Sequence, residues 1–104
     1  MGQGAGMYVG ALTLDLLLGD VRSLKDKRSV VRSVIAEVRR RQPAAAVAET
    51  GAMDLYRRAE IGVAVVSAAA SHCVEMLELC ERVVAARPDI ELLSARQRLI
   101  TDEE

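Results

Sequence analysis

Two hydrophobic periods take turns along this chain. From Tyr8 to Leu18, Leu12, Leu14, Leu16 and Leu18 alternate with Ala11, Thr13, Asp15 and Leu17. A period of two marks a strand with one face turned to a core. The leucines supply that face; the other is small or polar apart from Val9 and Leu17. Gly19-Asp20 stops the strand. Ser23 then fits an N-cap, and Asp26 three residues on completes a variant capping box. The helix that follows is predicted to reach about Arg41, where Gln42-Pro43 ends it. Stepping about 100° per residue puts Leu24, Val31, Val34, Ile35 and Val38 on one apolar stripe. Lys25, Arg28, Arg32 and Arg39 gather within about 60° on another face. Lys27 projects from the apolar side. Its stem is expected to cover apolar surface while its head reaches water. A pair with a strand carboxylate such as Asp15, or an anion held at the helix start, are the alternatives.

Ala44 to Glu49 is a weaker strand, because alanine is a poor strand former. Thr50 to Arg58 reads as a loop, with one helical turn at Met53-Asp54-Leu55-Tyr56 as an option. Glu60 to Ser67 is a second strong strand, with Ile61, Val63 and Val65 on one face and Gly62, Ala64 and Val66 on the other. Ser71 opens a second helix that ends before Pro88. Cys73, Met76, Leu77, Cys80, Val83 and Val84 line its buried side; Glu75, Glu78 and Arg82 lie opposite. Ile90 to Ile100 is the last strand. Strand, helix, strand, strand, helix, strand predicts an α+β, ferredoxin-like βαββαβ fold: a four-stranded antiparallel sheet with two helices on one face. Residues 7–100 form the expected single domain, residues 1–6 a flexible leader, with Met7 as an alternative start, and residues 101–104 an acidic tail.

Composition narrows the chemistry. Hydrophobic residues are 51 % of the 104, enough for one core. Formal net charge is −1, so any polyanion site must be a local patch. No segment reads as a signal peptide or membrane span. Cys73 and Cys80 stand about 10 Å apart along one helix, too far for a disulfide. Two reduced core thiols in a cytoplasmic protein are the expectation.

Enzyme and cofactor readings find few parts, and neither is expected. There is no Asn for an acylphosphatase-like Arg–Asn site. Two cysteines fall short of the four thiolates of an iron–sulfur cluster. His72, the one histidine, neighbours Cys73 in sequence and so points about 100° away from it on the helix. With Tyr8 and Tyr56 as the only aromatics, the sheet offers no platform for stacking bases. What remains is the cation stripe, with Arg57 and Arg58 from the loop. Lys25, Lys27, Arg28, Arg32, Arg39, Arg57 and Arg58 are the candidate contacts to RNA or an acidic protein. A solvated helix face, partly neutralised by Asp26 and Glu37, is the plain alternative. The small, partly apolar sheet face suggests a homodimer through that face or an edge strand, with a small ligand at the interface by analogy.

Three stretches carry a family likeness: Ser23-Leu24-Lys25-Asp26-Lys27-Arg28, Asp54-Leu55-Tyr56-Arg57-Arg58-Ala59 and Gly62-Val63-Ala64-Val65-Val66. Together they resemble the bacterial YlxP-like family, over Met7 to about Ile100. The resemblance implies a ferredoxin-like fold in a cytosolic protein often encoded beside translation-initiation and ribosome-maturation genes, hence a ribosome-linked role. It brings no catalytic residues. Thr50-Gly51-Ala52-Met53 departs from the more polar loop of relatives.

Overall fold

A computed structural model describes residues 6–101. The elements are β1 (Tyr8–Leu18), α1 (Leu24–Arg41), β2 (Ala46–Gly51), β3 (Arg58–Ser67), α2 (Ala70–Ala85) and β4 (Ile90–Thr101). Every strand pairing is antiparallel and the sheet runs β2-β3-β1-β4. This is the ferredoxin-like α+β arrangement that the alternating periods predict. The leader expected over residues 1–6 lies outside the described residues except for Gly6. Of the expected tail, Thr101 belongs to β4 and the rest lies outside.

The alternation in β1 does what its period requires. Leu12, Leu14, Leu16 and Leu18 are buried, as are Ile61, Val63 and Val65 from β3. α2 adds Cys73, Met76, Leu77, Cys80, Val83 and Val84, and α1 adds Val31, Val34 and Val38. α2 lies over β1 and β3 and reaches β4; α1 lies beside it over β2. That contact is close at Gly10, where a Cβ would sit 2.9 Å from Leu77 Cδ1. No helix of the described residues is long and apolar enough to cross a membrane.

Element ends depart from the periodic reading where alanines blur it. β2 begins at Ala46 rather than Ala44 and runs on to Gly51. β3 starts two residues early, at Arg58, because Arg58 pairs with Leu17 of β1. No helical turn forms at Met53–Tyr56. α2 begins at Ala70 behind Ala69, which offers no side-chain cap.

The two sheet margins differ. β4 bulges where Asp15 pairs Ser94 and Leu16 pairs Leu92, leaving Leu93 over. Past that bulge β4 is exposed on both faces, with Arg96 and Arg98 opposite Thr13 and Ala11 on the side away from the helices. β2, the other margin, is short and lies along α1.

Candidate partner-binding site

The cap at Ser23 sets how α1 is rotated. Ser23 is extended and its hydroxyl accepts from the Asp26 N–H at 3.1 Å. Asp26 reaches back to the Arg22 N–H at 3.2 Å, one residue beyond the Ser23 N–H of a standard capping box. With the first turn so fixed, Lys27, Val31, Val34 and Val38 point inward. Leu24, expected on the apolar stripe, is instead exposed. Its place in the first turn is taken by a cation.

Lys27 is only 2 % exposed. Its ammonium does not reach water. It donates to the carbonyls of Ala52 at 2.6 Å and Leu55 at 2.7 Å, and lies 2.9 Å from Glu49 Oε2. The expected snorkelling to water does not occur, and Asp15, one alternative partner, serves elsewhere: it accepts from the Ser94 hydroxyl at 2.6 Å and stands 3.8 Å from Arg96. An ammonium has three N–H donors, and three protein oxygens surround this one. A buried charge is tolerated only when so compensated. Ala52 helps present its carbonyl by adopting φ 59°, a left-handed conformation unusual for a residue with a side chain. Lys27 therefore pins the β2–β3 loop to the start of α1 and leaves the set of surface contacts.

The remaining candidates divide. Lys25, Arg28, Arg32 and Arg58 are exposed and take part in no ion pair or side-chain hydrogen bond among the described residues. Asp26 and Glu37 do not neutralise them: Asp26 is engaged with the cap, and Glu37 accepts from Arg87 at 2.7 Å. Arg39 donates to the Val47 carbonyl of β2 at 2.8 Å. Arg57 contacts the Leu18 carbonyl at 3.4 Å. Arg58 pairs with Leu17 on the sheet face away from the helices, so it does not join Lys25, Arg28 and Arg32 on the α1 flank. Met53, Leu55 and Tyr56 project from the β2–β3 loop.

Between α1 and β2 runs a groove of about 300 Å³, lined by Arg28, Val31, Arg32, Ile35 and Glu49. Its floor is aliphatic and its outer wall is cationic. Glu49 does not cancel that wall, because its buried oxygen faces Lys27. Neither the groove nor Glu49 was expected from the sequence. One signal was present: with Val47 facing the core, alternation turns Glu49 inward as well, and an inward carboxylate needs a cation.

His72 and the two cysteines are tied into the fold. His72 Nδ1 lies 3.2 Å from the Ser67 hydroxyl, which also accepts from the Ala69 N–H across the β3–α2 turn. Both cysteines are free and buried, and burial pushes the Cys80 thiol up, away from reactive thiolate. No three His, Cys, Asp or Glu side chains among the described residues are placed to hold a metal ion. On the sheet face away from the helices, Ala11, Ala46, Ala48, Gly62 and Ala64 line a basin of about 480 Å³ together with Thr13, Thr50, Glu60 and Arg39.

The molecule is thus a small ferredoxin-like domain with one unneutralised basic flank. Residues 9–97 match the family described as "Protein of unknown function (DUF503)", and the chain belongs to that family. No curated protein matches it. Among solved structures it is similar to "De novo designed protein Foldit4", at 11 % identity and a TM-score of 0.47, covering 93 % of this chain and 98 % of that one.

Proposed function

We propose that this chain is a non-enzymatic binding module whose α1 flank meets a negatively charged partner. The observation that supports it is the unpaired state of Lys25, Arg28 and Arg32 beside carboxylates committed to other groups. Such cations lose little on meeting an anion, since no internal pair has to break. The ribosome-linked setting implied by the YlxP-like resemblance makes rRNA and acidic ribosomal proteins the first partners to test. Binding to purified ribosomal subunits, titrated with salt, is the measurement. Affinity should fall steeply as salt rises, and Lys25→Glu with Arg28→Glu should abolish it. Binding that ignores both substitutions would sink this reading.

A second reading is a homodimer through the sheet. The alanine and glycine floor of the basin, rimmed by Thr13, Thr50, Glu60 and Arg39 and with exposed Val66 on the same face, favours a covered face. Light scattering across a concentration series decides it: a strict monomer removes the dimer.

A further inference from the structure

We infer that the groove between α1 and β2 receives an extended acidic segment of a partner protein, added as a fifth strand on the β2 margin. The inference rests on the binding-module reading and names the partner's form. β2 has a single neighbour, β3. Its Val47 carbonyl is met by Arg39 and so points outward. Antiparallel alternation then puts the N–H and C=O of Glu49 on that outer margin too. A strand laid there gains main-chain hydrogen bonds, and every second side chain drops toward α1.

The spacing selects those side chains. Arg28 and Arg32 are one rung apart on the helix, as are Val31 and Ile35, and four helical residues rise about 6 Å. Same-face residues of a strand repeat at about 6.8 Å. Each successive inward side chain therefore meets one aliphatic residue and one guanidinium, and the one opposite Glu49 faces a carboxylate already paired with Lys27. Glutamate fits both, its methylenes on Val31 or Ile35 and its carboxylate on Arg28 or Arg32. The motif is Glu-x-Glu in extended form, with x over the small side chains of Ala46 and Ala48. An incoming strand takes the Val47 carbonyl from Arg39 and frees that guanidinium as well. A second copy fits worse. Two-fold pairing of β2 with itself sets the Arg28–Arg32 rows of both copies along one seam, and like charges there repel.

The test uses the full chain and a fluorescent peptide repeating Glu-Val-Glu-Val-Glu, beside a scrambled peptide with its glutamates adjacent and a short oligouridylate. The repeating peptide should bind at least about tenfold tighter than the scramble. Binding should slow amide exchange at Val47 and Glu49, and Arg28→Glu with Arg32→Glu should erase it. The same charge change at Arg41 and Arg82 should not. Equal binding of both peptides, or unprotected Val47 and Glu49 amides, overturns the added strand and leaves the basic flank standing. Oligouridylate binding that Arg28→Glu removes, with neither peptide bound, does the same. Val47 and Glu49 protected without peptide in a dimeric protein assigns the margin to a second copy and overturns the inference. If neither peptide nor oligouridylate binds, the inference falls together with the support for an anionic partner.

Discussion

Lys27 and Arg87 both fasten a connecting segment to α1, by different means. Lys27 does so from the interior, with two loop carbonyls and Glu49 around its ammonium. Arg87 does so near the surface. It forks onto Asp89 at 3.1 and 2.8 Å and reaches Glu37 at 2.7 Å and Ser33 at 3.1 Å. Its guanidinium stays nearer water than the Lys27 ammonium, with 14 % of the side chain exposed against 3 %, and Asp89 is 42 % exposed. The inner cluster cannot be half-dismantled cheaply, because Lys27 is shut from water and so is the Glu49 oxygen that faces it. The outer cluster can, because solvent replaces what is lost. A cation's neighbours thus matter less than whether water can stand in for them.

The largest effect should come from Lys27→Met, which strands Glu49 and two carbonyls and should cost about 3–5 kcal/mol in urea unfolding. Adding Glu49→Leu should return part of that loss, since the orphaned carboxylate goes too. A double variant no more stable than Lys27→Met would break the contrast between the two clusters. Arg87→Met should cost only about 1 kcal/mol, and the loss should shrink in high salt.

Acid sharpens the same contrast. The hydrogen bonds from Arg87 hold the Asp89 carboxyl below the ordinary aspartate range. Its contribution is present above the unfolded value of about 3.9 and fades as pH falls through the lower folded value. The acid limb of a stability–pH curve should therefore flatten in Asp89→Asn. The smallest change is expected from Ala52→Gly. It relieves the left-handed backbone under Lys27 and should raise stability by about 0.5–1 kcal/mol. A loss there would mean that the alanine methyl, not the carbonyl alone, supports the tether.

Period-two and helical patterns made most of this fold legible. Leu12 to Leu18 and Ile61 to Val65 had one consistent face each, and the core lies on it. Ala44-Ala45-Ala46 lacked such a contrast, so the start of β2 slipped. The Lys27 tether was hidden for a different reason. Two of its three partners are main-chain carbonyls, and a carbonyl carries no residue identity. The basic flank was visible because helical spacing alone gathers Arg28 and Arg32. The groove beside it was not, since that depends on which strand ends up at the margin.

The β4 border has a consequence for assembly. Beyond Leu93, any two-fold register centred from residue 96 to residue 98 sets Arg96 or Arg98 against an arginine of the incoming strand. The bulge denies longer overlaps. The β4 border is thereby kept from welding to a second β4 in those registers. Growth by that union should be missing from a crowded solution even while the opposite border entertains a guest.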